Sequence, residues 1–144
     1  MSFFRRLSRP GRFAPGLFLF AVFCVLFAAP ALAFDAEKLH GAWVVDIPAT
    51  IGILEQKDAF TDAGEKAELE AELATWRMII DVPGKLLSRE TLGKNRRDYP
   101  LLSITETPDG FIRLEMDERF DDVTLGEDGL LRVRDVPVAF KREE

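Results

Sequence analysis

Cysteine and histidine are nearly missing from this chain of 144 residues, which has one of each, Cys24 and His40. A zinc centre normally draws three or four Cys or His ligands, so the count argues against a structural or catalytic metal. A single thiol rules out an internal disulfide. No Ser or Cys motif at a strand-to-helix elbow accompanies His40, which reads as a solvated loop histidine rather than a catalytic base. Basic charge is scarce over most of the chain. From Phe34 onward 15 Lys and Arg face 25 Asp and Glu, a net charge of -10. So acidic a surface repels phosphate backbones and argues against a nucleic-acid partner. Internal repeats and low-complexity tracts are missing as well.

The sequence is 47% apolar and 31% charged, which fits one compact domain and not a disordered chain. Its first 33 residues stand apart. Arg5, Arg6, Arg9 and Arg12 precede an apolar run at 17–29, followed by Pro30 and the small-residue triplet Ala31-Leu32-Ala33. That order is the order of a secretory signal peptide, with cleavage after Ala33. The run has 13 residues and as a helix reaches about 20 Å into a hydrocarbon core roughly 30 Å thick, so no stable membrane span is expected after cleavage. The competing reading, an uncleaved anchor, places Pro30 inside the span. Arg5-Arg6 lacks the apolar pair that follows a twin-arginine signal, and Cys24 follows Val22-Phe23 where a lipidation site needs a small residue. General secretion to the periplasm or the exterior is the expectation, with residues 34–144 as the mature domain.

That domain opens with period-two alternation in which Trp43, Val45 and Ile47 share a face, which predicts a strand. Pro48 suits the first turn of a helix expected over 48–60. A second helix starts at Asp62, a cap with Glu65 three residues on, and carries Leu69, Leu73 and Trp76 along one stripe. From Met78 on, alternation and turn signals dominate. Met78, Ile80 and Val82 share a face, and Val82-Pro83-Gly84-Lys85 has the order of a type II turn. Leu87, Arg89 and Thr91 lie together on the return strand. A polar break is expected at 93–98, then a strand over 99–107 and a turn at Pro108-Asp109-Gly110. Ile112, Leu114 and Met116 point inward on the next strand. Phe120, Val123 and Leu125 make another, bulged at Asp121-Asp122. Glu127-Asp128-Gly129 turns the chain toward Leu131, Val133, Val138 and Phe140. With 131–140 taken as one strand, seven strands are expected. Short connections make neighbours antiparallel, so the fold class is α+β: an antiparallel meander sheet or partial β-barrel with helices inserted after the first strand.

Gly41-Ala42-Trp43 on the first strand, the meander, and the basic pair Lys141-Arg142 after the last strand together resemble the lipocalin-like (calycin) pattern, in particular small secreted bacterial domains that begin with Gly-x-Trp. The resemblance implies a curved sheet with an apolar interior, with Trp43 plugging one end and a basic side chain across its ring. Arg142 has the parity to reach that ring. The chain departs from a full lipocalin in placing its helices between the first two strands instead of near the C-terminus, which leaves the room inside the sheet open.

The remaining candidates have plain structural readings. Asp117, Glu118, Asp121, Asp122, Glu127 and Asp128 crowd two turns but lack calcium-loop spacing. Lys94, Arg96 and Arg97 read as a solvated loop or a local docking patch. The functional expectation is therefore an exported, non-catalytic domain without cofactor or metal. Its apolar interior near Trp43, Trp76, Met78, Phe140 and Arg142 would take a hydrophobic small molecule or acyl chain. The alternative is a cell-envelope interaction or structural module that docks through sheet edges or the acidic helix face.

Overall fold

The computed structural model describes residues 34–91 and 94–144. The leader read over residues 1–33, with Cys24, lies outside them, as does Gly93 at the start of the polar break. Phe34–Glu144 form one compact unit. A 3-10 turn, Ala36–Leu39, is capped by Asp35 and leads into β1, Gly41–Val45. Asp46 ends the strand by accepting a hydrogen bond from the Ala49 amide at 3.0 Å, which starts α1, Ile47–Gln56. The second helix, α2, Ala63–Leu73, is capped by Asp62, whose carboxylate accepts from the Gly64 and Glu65 amides. Glu65 reaches back to the Thr61 amide at 2.9 Å, completing a reciprocal cap one residue wider than the standard box.

Among the described residues nine strands form one curled antiparallel sheet, a half-barrel: β2 Trp76–Asp81, β3 Leu86–Thr91, β4 Asn95–Pro100, β5 Ser103–Glu106, β6 Ile112–Glu115, β7 Phe120–Leu125, β8 Leu131–Val133 and β9 Ala139–Arg142 follow β1. The hydrogen-bonded order is β4-β3-β2-β1-β9-β8-β7-β6-β5. The first and last strands therefore pair, and the strands at the two ends of the order are consecutive in sequence. Their junction is a corner in which the Leu101 amide donates to Lys85 O on one side and the Leu102 amide to Glu115 O on the other, both at 2.8 Å. The concave face carries the core, with Trp43, Ile80, Leu87, Leu114, Val123 and Leu131 almost wholly buried. Leu73 from α2 joins the same cluster. The first helix is tied to β9 through Thr50, whose buried hydroxyl accepts from the Ala139 amide and donates to its carbonyl.

Several expectations are corrected. Trp76 is the first residue of β2 and not the end of the helical stripe, because α2 stops at Leu73 and Ala74 caps it. The first strand ends at Val45, so Ile47 opens α1, which ends at Gln56, well before Phe60. The turn at 82–85 is not type II. Its left-handed residue is Lys85, at φ 51°, while Gly84 lies against the Asp81 carboxylate, which accepts the Gly84 amide at 3.0 Å and leaves no space for a Cβ. The polar break is a strand: β4 pairs residue for residue with β3 from Leu86↔Pro100 to Thr91↔Asn95. No bulge occurs at Asp121-Asp122, since the β6–β7 register runs unbroken from Ile112↔Val123 to Glu115↔Phe120. Nine strands replace seven because the corner at Leu101-Leu102 divides 99–107, and a tight turn with Asp135 at φ 62° divides 131–140.

The joint between the chain's two ends is built around Trp43. Its indole Nε1 donates to Leu39 O at 2.9 Å, and Arg142, its register partner on β9, lays its guanidinium 4.5 Å from the ring centroid. The same guanidinium donates to the carbonyls of His40 and Lys38, each at 2.6 Å. Gly41 is required for this approach. Its φ is 137°, and a Cβ there would stand 2.6 Å from Arg142 Nη1. Arg142→Ala is expected to lower unfolding stability in urea by about 1–3 kcal/mol, through loss of the cation–π contact and the carbonyl hydrogen bonds. Arg142→Lys should recover only part of this, because an ammonium cannot bridge two carbonyls with a planar fork.

Candidate functional site

Toward the Trp76 end of β2 the concave face is not filled. It opens into a cleft of about 450 Å³ with two unlike walls. Trp76 and Met78 of β2, Phe140 of β9, Val133 of β8 and Val136 from the following turn make an apolar wall. The other wall is polar and comes from β3 and β4. Along their paired inner faces the rows read Leu87 opposite Tyr99, then Arg89 opposite Arg97, then Thr91 opposite Asn95. The first row is packed, with Leu87 fully buried. The second and third rows, with Tyr99 beneath them, line the cleft.

Strand pairing places each of these groups. Met78 pairs with Arg89 and with Trp43, and Val45 pairs with Phe140, so the residues of both walls stand on one continuous surface. The cleft thus collects Trp76, Met78 and Phe140 from the sequence-predicted set. Trp43 and Arg142 pair with each other at the joint described above, outside the lining. Arg89, Thr91, Asn95, Arg97, Tyr99, Val133 and Val136 were missed. The readable signal was Arg89 and Thr91 sharing the face of Leu87, which places polar groups at inward positions. For β4 no apolar alternation marks a strand, and Arg97 reads as loop. Its neighbour Arg96 points to the opposite face and is bonded to Asp98 at 2.9 Å and to Ser88 at 3.2 Å.

Most of the charge around the cleft is compensated. Arg77 at the rim is bonded to Glu90 at 2.7 Å and to Glu143 at 2.6 Å. Arg89 reaches across the curl to the buried carboxylate of Asp121 on β7. Asp121 also accepts from Arg119 at 3.0 Å, and Arg119 lies over the Tyr99 ring with 5.6 Å to its centroid. Arg97 has no ion-pair partner among the described residues. The lining includes a threonine hydroxyl but no Ser, Cys or His. His40 lies elsewhere, accepting from the Val82 amide at 3.3 Å.

Three of the crowded acids, Asp121, Asp122 and Asp128, are matched with arginines or a turn amide. Asp121 faces the interior, whereas its neighbour Asp122 faces out and takes a two-pronged bond from Arg113 at 2.8 and 2.9 Å. Asp128 accepts from Arg132 and from the Leu130 amide. Among the described residues no group of three or more His, Cys, Asp and Glu side chains is placed to hold a metal ion. No helix among them is long and apolar enough to cross a membrane. A second hollow of about 470 Å³ borders the turn at Arg134, but it is more open and includes the outward-facing Thr124 and Arg132.

No protein-family model matches the chain, and no curated protein matches it.

The Asp122 and Asp128 geometry fixes a pH response. Hydrogen bonds from Arg113 hold the Asp122 carboxyl below its ordinary value of 3.8, and those from Arg132 and the Leu130 amide bring Asp128 down to about 2. A carboxyl depressed on folding adds stability above its unfolded value and loses it as pH falls through the folded one. Stepwise urea unfolding should therefore show stability falling as the pH drops from 3.8 toward about 2. Asp122→Asn should fall less steeply over that window, from a lower plateau at neutral pH.

Proposed function

We propose that this protein is a binding module, exported and non-catalytic, that holds a small molecule with a substantial apolar surface in the cleft between Trp76 and Phe140. One observation carries the reading. A solvent-open space of about 450 Å³ sits inside the curl, where a packed core was the alternative, and its size lies within the roughly 300–1,000 Å³ of known small-molecule sites. Aromatic and aliphatic side chains make one whole wall, and burying them against a ligand is favourable at about 25 cal/mol per Å² of apolar area removed from water. The lining offers no nucleophile with a neighbouring base among the described residues, which favours holding over chemistry.

The lipocalin-like reading draws support from Gly41 and Trp43 at the start of a curled antiparallel sheet and from Arg142 across the indole. Export draws support from the leader composition alone. Expression of the full chain in a bacterial host, followed by N-terminal sequencing of the soluble extracytoplasmic protein, should return a chain beginning at Phe34. An intact leader in the recovered protein would defeat that assignment.

Ligand binding is testable through the two tryptophans. Trp43 is buried under Arg142, while Trp76 lines the cleft. Titration with dodecanol should change the emission of the native protein in a saturable way. Trp76→Phe should lose most of that change, while calorimetry on the same variant still reports binding. A flat titration by fluorescence and by calorimetry would remove the binding reading and leave the envelope-interaction module as the stronger one.

A further inference from the structure

We infer that the ligand of this cleft is an anionic amphiphile, a long-chain carboxylate, whose head group is bound by Arg97; this rests on the binding reading above. The argument starts from a repulsion. Arg89 and Arg97 are direct register partners on the inner faces of β3 and β4. Like charges directly opposite each other across an antiparallel pair destabilise it. Arg89 is relieved by Asp121, and that carboxylate is itself shared with Arg119. Arg77 at the rim is relieved by Glu90 and Glu143. Arg97 alone of the cleft's arginines lacks such a partner among the described residues, although the domain from Phe34 onward carries ten more acidic than basic side chains. In so acidic a chain, an uncompensated guanidinium on an inner wall marks a place where negative charge is supplied from outside.

The neighbouring groups suit a carboxylate. Thr91 and Asn95, the next row toward the mouth, offer a hydroxyl and an amide beside the guanidinium. Arg97 presents a planar fork that matches two carboxylate oxygens. The wall across from it is Trp76, Phe140, Val133 and Val136, with no charged side chain. A ligand that satisfies both walls has a compact anion at one end and an apolar chain at the other. A neutral lipid leaves Arg97 facing Arg89, and a hydrophilic anion leaves the aromatic wall wet.

The experiment compares dodecanoate with dodecanol on the native protein and on Arg97→Gln, with Trp76 emission and calorimetry as readouts. Arg97 is exposed to the cleft, so the native protein should bind dodecanoate about threefold to fivefold more tightly than dodecanol, as expected for a charge-assisted hydrogen bond to a solvated guanidinium. Added salt should narrow the gap. In Arg97→Gln the preference should vanish through a loss of dodecanoate affinity, and the ligand-free variant should melt no lower than the native protein because a repulsion has been removed. Arg97→Lys should keep a reduced preference, which separates lost charge from lost shape. Equal affinity for both probes in the native protein, or a preference that survives in Arg97→Gln, would overturn the head-group assignment and leave the apolar cleft intact. Binding of neither probe would overturn both.

Discussion

The sheet holds its curl because the first and last strands are fastened to each other, and the fastening is centred on one ring. Trp43 is pinned from inside by the bond from its indole N–H to Leu39 O, and from outside by the Arg142 guanidinium. That guanidinium also covers carbonyls that the end of the 3-10 turn leaves unpaired in the strand ladder. A tryptophan here gives a large apolar plug with one donor, and an arginine gives a flat cation with several. Neither could be swapped for a smaller relative without leaving a void or an unbonded carbonyl. Gly41 permits the approach at the cost of a backbone conformation that other residues rarely adopt. With this joint closed, the corner at Leu101-Leu102 has only to redirect the chain, and it does so with its two consecutive amides donating in different directions.

A sheet curled this far turns one face inward along its whole length, and the sequence then decides how much of that space to fill. Around Ile80, Leu87, Leu114 and Leu131 it is filled by branched side chains with essentially no exposure. Beyond Met78 the inward positions change character. Arg89, Thr91, Asn95 and Arg97 cannot pack against one another as a core, because each carries polar groups that require partners or water. The cleft is thus a consequence of residue type at inward positions on β3 and β4. The buried carboxylate of Asp121 has a matching role, since removing it would leave Arg89 and Arg119 facing each other without a counter-charge.

Much of this was legible from the sequence where side chains alternate under burial. The strands through Trp43, Met78, Leu87, Leu114 and Val123 follow period two because one face meets the core and the other meets solvent. The Gly-x-Trp start and the parity of Arg142 also pointed to a contact that the structure contains. Legibility failed where one of those pressures is absent. The sequence Asn95-Arg96-Arg97-Asp98-Tyr99-Pro100 faces a wet cleft on one side and solvent on the other, so both faces are polar and the alternation disappears. Its ladder bonds to β3 involve only backbone, which leaves no compositional trace. The Asp121-Asp122 pair misled for a related reason. Two adjacent acids suggest a loop or a bulge, yet each is neutralised on its own face, by Arg89 and Arg119 within and by Arg113 without. Only the register, which the sequence does not state, brings those arginines to them.

The division of the interior into a packed part and an open part also bears on how a domain of this size can keep a cavity. Its disulfide-free core must offset chain entropy by burial alone, and each unfilled volume forfeits contacts that a solid core would have made. The chain limits that loss by making half of the cleft's lining from groups that are comfortable in water. An apolar wall alone, with Trp76, Met78 and Phe140 facing a void, would invite collapse or association through the exposed patch. Arg97 opposes collapse, because closing the cleft would desolvate a guanidinium that has no ion-pair partner among the described residues. The charge that makes Arg97 a poor core residue therefore keeps that wall of the cleft in contact with water.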